Sequence, residues 1–92
     1  MNNIVTEAFS STVISATGNV KPAQGILGGL FVSSASSTPT ITIYDSATTT
    51  TTTKIVDTFT PVSGVYYPLP FSFVNGLYIV IGGTVSTTVG FK

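Results

Sequence analysis

The chain has 92 residues, which fits one small domain with a single core and leaves no room for a second. Its six charged residues (Glu7, Lys21, Asp45, Lys54, Asp57 and Lys92) sum to zero and amount to 7 % of the chain, against about 25 % in an average domain. Three scattered lysines cannot neutralise a run of phosphates or hold an anionic bilayer, so the composition speaks for no nucleic acid and no membrane among the partners.

Residues 1–8 lack the basic region and long apolar run of a secretory signal, and precede the first expected strand as an arm carrying Ile4 and Val5. The longest apolar stretch, Gly25 to Val32, is far short of the ~20 residues that span a bilayer. With cysteine absent as well, the expectation is a protein assembled in a reducing cytoplasm.

From Phe9 on, Thr and Ser fill the polar positions, and Val, Ile, Phe and Tyr the apolar ones. Side chains of this kind suit a pleated surface, and no window has the spacing of an amphipathic helix. Strands are predicted over Phe9–Ala16, Gly25–Ser33, Thr40–Asp45, Lys54–Phe59 and Val65–Leu69, then Phe71–Val74, Leu77–Ile81 and Thr84–Phe91. Turns are expected at Gly18-Asn19, Pro39, Pro61, Ser63-Gly64, Asn75-Gly76 and Gly82-Gly83. Asn-Gly and Gly-Gly are hairpin turns by type, so the last three strands are expected to form a meander. About eight short strands give an all-β class: an antiparallel β-sandwich or a jelly-roll-like small barrel occupying 9–92.

Three segments add to this. Leu77–Ile81 is apolar on both parities, so both faces must be covered, by a loop of the same chain or by another subunit. Tyr67-Pro68-Leu69-Pro70 removes two backbone donors from the same side, the mark of an edge strand that cannot recruit another. Thr48–Thr53 has identical side chains on both parities, specifies register weakly, and reads as an exposed loop. Candidate partner-binding residues are therefore Ile4 and Val5 in the arm, Tyr66 and Tyr67 beside the prolines, and Tyr78 and Val80 in the two-faced strand.

The chain offers little to catalysis. Without His or Cys, neither a Ser-His-Asp nor a Cys-His system can be built, and zinc loses its usual ligands. Three carboxylates in all are too few for a calcium loop, and Asp45 and Asp57 read as solvated strand ends. Gly25-Ile-Leu-Gly-Gly lacks the Lys-Ser/Thr ending and following helix of a phosphate loop; its glycines suit a bulge or a close approach between sheets. No enzyme activity and no cofactor is expected. Tyr44, Tyr66, Tyr67 and Tyr78 keep a glycan-binding module open as an alternative.

The stretches Gly25-Ile-Leu-Gly-Gly-Leu-Phe-Val-Ser33, Ile41-Thr-Ile-Tyr-Asp45, Phe73-Val-Asn-Gly-Leu77 and Ile81-Gly-Gly-Thr84 occur in order. From about Thr17 to Lys92 the chain resembles the small β-sandwich virion proteins of tailed bacteriophages, of the capsid decoration (cement) type. The resemblance implies a structural protein on the outer capsid surface, where it holds joints between subunits of the major capsid protein as a homo-oligomer, a trimer by preference. Tail, neck and fibre-associated proteins of such particles use similar sandwiches and form the alternative location.

Overall fold

The computed structural model describes residues 9–92; the arm over 1–8, with Ile4 and Val5, lies outside the described residues. Every regular element among them is a strand: Ser10–Ile14 (β1), Gly18–Lys21 (β2), Gly25–Asp45 (β3), Lys54–Phe59 (β4), Tyr66–Phe73 (β5) and Leu77–Phe91 (β6). All pairings are antiparallel, and β3 and β6 form the spine, matched from Leu27↔Phe91 to Asp45↔Leu77. On the far side of β6, β1 takes the second half (Ser10↔Phe91 to Ile14↔Thr87) and β2 the first (Gly18↔Ile79). On the far side of β3, β5 takes the first half (Gly25↔Phe73 to Phe31↔Tyr66) and β4 the second (Ile41↔Phe59 to Tyr44↔Lys54).

The spine is folded over. Between the pairs Ser36↔Thr84 and Thr40↔Gly82, β3 carries three residues and β6 only one. Ser37 and Thr38 hold positive φ of 62° and 48°, and Gly83 opposite them holds 75°. An excess of residues on one strand bends a ladder, and here it bends it enough to bring the two ends of β3 together. Gly25 pairs with Phe73, while Asp45 at the other end accepts hydrogen bonds from Val74 and Asn75. The continuous sheet thereby becomes two layers in the manner of a sandwich. The first runs β1-β6-β3-β5 and the second β2-β6-β3-β4, each built on one half of the long strands.

Alternation sends one parity of each half inwards. Leu27, Leu30, Val32, Val85 and Val89 of the first layer meet Ile41, Ile43, Leu77 and Ile79 of the second, and all nine are buried, together with Phe73. Side chains of this size each contribute about 1.5–3 kcal/mol on burial. The two outer strands meet as well: the rings of Phe59 in β4 and Tyr67 in β5 lie 5.1 Å apart, centroid to centroid. Where the ladder is interrupted, hydroxyls take over. Thr17 Oγ1, between β1 and β2, both accepts from Ile81 N–H (2.9 Å) and donates to Ile81 C=O (3.2 Å). Ser33 Oγ donates to Ser86 C=O beside the register shift at Val32/Ser34.

The all-β expectation holds, as do β4 at its expected bounds and the edge position of β5, whose pairing among the described residues is with β3 alone. The C-terminal meander does not form. Gly82-Gly83 is the bend of a single long strand, because Leu77–Ile81 and Thr84–Phe91 both pair with β3 instead of with each other. Asn75-Gly76 does turn the chain, but from the first layer into the second, so Phe73 and Leu77 have different partners. Pro39 lies within β3 at the bend, and Gly18-Asn19 begins β2. Of the two alternatives expected for the Gly-rich segment, a bulge is present: Leu27 and Gly29 face the adjacent residues Phe91 and Gly90 of β6, leaving Gly28 as the extra residue.

Candidate partner-binding face

The outer surface of the first layer is apolar. Register aligns Val13, Thr88, Phe31 and Tyr66 in one row across β1, β6, β3 and β5. The neighbouring row is Ser11, Gly90, Gly29 and Pro68, nearly without side chains at its centre. A tall row beside a bare one makes a groove of about 370 Å³. Gly28, Gly29 and Gly90 contribute to its floor, and Phe9, Ile26, Phe31, Tyr66 and Pro70 line its sides.

The glycines are required by close approach. A Cβ on Gly28 would stand 2.9 Å from the Phe9 ring, and one on Gly29 would stand 2.8 Å from the Tyr66 hydroxyl. Both rings therefore rest on bare backbone at the sheet surface. Gly90 differs, since a Cβ there would meet nothing nearer than 3.9 Å.

Large apolar side chains exposed among the described residues are confined to this layer and the residues flanking its strands. Phe9 and Val13 belong to β1 and its approach, Ile26 and Phe31 to the first half of β3, and Tyr66 and Phe71 to β5. Val62, Val65 and Val74 flank β5. The second layer contributes none. Its outer face buries Thr42 and Tyr78, pairs the Thr42 and Thr58 hydroxyls at 2.6 Å, and sets the Tyr44 and Tyr78 rings 6.2 Å apart.

The candidate residues thus separate. Tyr66 stands on the apolar face, 58 % exposed. Tyr67, one residue on, points the other way: it is half-buried against the core, and its hydroxyl accepts the Val62 N–H at 3.0 Å. Tyr78 is buried and Val80 half-buried on the opposite layer. Phe9, Ile26 and Phe31 were absent from the sequence-derived set. A signal for Ile26 and Phe31 was present, because Gly25–Val32 is apolar on both parities just as Leu77–Ile81 is.

Polar groups serve the frame. The half-buried Asp45 carboxylate accepts backbone N–H groups from Val74 (2.9 Å), Asn75 (2.7 Å) and Gly76 (3.2 Å). Desolvation pushes its pKa upward, but the three donors outweigh it and the carboxyl titrates below its ordinary value. Ser46 Oγ accepts Thr48 N–H and Thr50 N–H, and Asn19 Nδ2 donates to the carbonyls of Ser46 and Thr48, anchoring the base of the exposed threonine loop. Asp57 forms an exposed pair with Lys54 at 2.8 Å, which lowers the carboxyl's pKa and raises the ammonium's. The two aspartates therefore have separate tasks, and no group of three or more potential metal-ligating His, Cys, Asp or Glu occurs among the described residues. The chain matches no protein-family model, no curated protein and no solved structure.

Proposed function

We propose that this chain is a structural protein of a virus particle, a decoration protein that clamps neighbouring major capsid subunits on the outside of a tailed-phage shell. The observation that carries the reading is the one-sided distribution of exposed apolar surface. Nine large apolar side chains gather on or around one layer, in a protein with six charges to keep it dispersed. Patches of this kind mark interaction surfaces, and a near-uncharged one suits a permanent contact better than a transient encounter. The resemblance carried by the Gly25–Ser33, Ile41–Asp45, Phe73–Leu77 and Ile81–Thr84 stretches names the kind of particle. Glycan binding is less well supported, because Tyr67 and Tyr78 are packed and leave Tyr66 without a second exposed tyrosine beside it.

The mechanism is apolar packing multiplied by repetition. Each copy offers a modest contact through Phe31, Tyr66 and the groove between them and Phe9. A homo-oligomer engages several such sites at once at high effective concentration. Binding of the purified protein to undecorated shells tests this directly. Occupancy persists as salt is raised, because few ion pairs are involved, and Phe31→Asp abolishes it while leaving the β-sheet circular dichroism unchanged. A steep loss of occupancy at moderate salt, or full binding by the Phe31→Asp variant, overturns the reading.

A further inference from the structure

Among the described residues the two layers have four strand edges, and three of them are defended. β5 carries Pro68 and Pro70. β4 carries Lys54 and Asp57 and two register shifts. β2 is four residues long, ends in Lys21 and is itself bulged. These are the devices that keep an edge from recruiting another strand. β1 has none of them: Ser10-Ser-Thr-Val-Ile14 is without proline or charge, pairs in unbroken register, and among the described residues has β6 as its sole neighbour.

We infer that β1 pairs with β1 of a second copy of this chain, antiparallel about a two-fold axis through Thr12. The other three edges explain the choice of occupant. A neighbouring copy offers no other receptive edge, so self-pairing is the combination the chain leaves open. It is also isologous and closes after two copies, so an undefended edge does not lead to open-ended growth. The register follows from using all five residues: Ser10 meets Ile14, Ser11 meets Val13, and Thr12 meets Thr12. No like charges face one another. Val13, 65 % exposed, gains a cross-strand neighbour on the outer face. The two apolar outer faces then join edge to edge into one continuous surface of eight strands. This pairing is independent of what the apolar face binds, and it gives an even number of copies where the phage resemblance implies three.

Native mass spectrometry of the full chain across a concentration series, with hydrogen exchange on the same samples, tests the pairing. The expected result is a dimer or a larger even assembly, with β1 amides whose protection grows with protein concentration. Val13→Lys places a cation on the exposed edge and raises the dimer dissociation constant at least tenfold, with the melting temperature of the monomer unchanged. A trimer, a monomer with freely exchanging β1 amides, or an even assembly indifferent to Val13→Lys overturns the inference. So does β1 protection that is independent of concentration and disappears when residues 1–8 are removed, since the occupant is then the chain's own first segment. Shell binding is read in a separate assay, so either reading can fail without the other.

Discussion

Asp45 Oδ1 accepts the backbone N–H of Asn75 at 2.7 Å, joining the end of β3 to a turn 30 residues further along the chain. The same carboxylate holds Val74 and Gly76, so one side chain fixes the passage from the first layer into the second. Asp45→Asn keeps the shape but turns an NH₂ group towards at least one donor that needs an acceptor. The expected loss is about 1–2 kcal/mol, the range for a partly solvated charge-assisted bond. In a domain of this size that is roughly 4–16 °C of melting temperature.

The same bonds give a pH dependence. The folded carboxyl titrates below its ordinary 3.8, so its contribution is complete above that value and is lost as pH falls through the folded pKa. Melting followed from pH 7 to pH 2 therefore has an acid limb that is shallower in Asp45→Asn than in the parent. Limbs of equal slope would mean that the carboxylate is not what the turn depends on.

Thr42 and Thr58 share a hydroxyl contact at 2.6 Å, with Thr42 buried and Thr58 exposed. The two valine substitutions are accordingly unequal. Thr42→Val leaves Thr58 free to bond water and stays within about 0.5 kcal/mol of the parent. Thr58→Val strands a buried hydroxyl and costs about 1–2 kcal/mol. Chemical denaturation of both variants gives the order directly.

Much of the strand content was legible because alternation is local. Ile41 and Ile43, or Val85 and Val89, declare their inward face within a few residues. The fold of the spine was not legible, since Gly82-Gly83 suits a hairpin and a bend equally. What decides between them is the two-residue excess in β3, where Ser37–Pro39 face Gly83 alone, more than forty positions away. Tyr66 and Tyr67 show the same limit at the site. Adjacent tyrosines must face opposite ways, and identity alone does not say which is outward. The prolines did carry that information: Pro68 and Pro70 share the exposed parity of Tyr66, while Leu69 shares the half-buried parity of Tyr67.

Groove shape and fold stability can be varied separately at the glycines. Gly90→Ala adds a methyl group with no contact nearer than 3.9 Å, so stability is unchanged or raised by about 0.5–1 kcal/mol. The methyl nevertheless projects from the groove floor and weakens shell binding. Gly28→Ala drives a Cβ to within 2.9 Å of the Phe9 ring and must displace that ring. It weakens binding by removing a wall of the groove. Parallel thermal melts and shell titrations separate the two, and unaltered binding in both variants would remove the groove from the interface.

The edges of the sandwich predict how this protein fails. With β1 pairing to its counterpart as inferred and β5 blocked, edge pairing between copies closes at two. Replacing both prolines, Pro68→Thr with Pro70→Thr, restores two backbone donors to β5 and opens the second edge of the same layer. β1 of one copy can then add to β5 of the next, a head-to-tail contact that no symmetry closes, and growth continues along the sheet. The expected outcome is a rise in light scattering and fibres under negative stain at concentrations where the parent stays finite. Adding Val13→Lys to the double variant closes β1 again and suppresses the fibres. Growth that persists with β1 closed would mean that the chain stacks through its apolar outer faces, with the strand edges as bystanders.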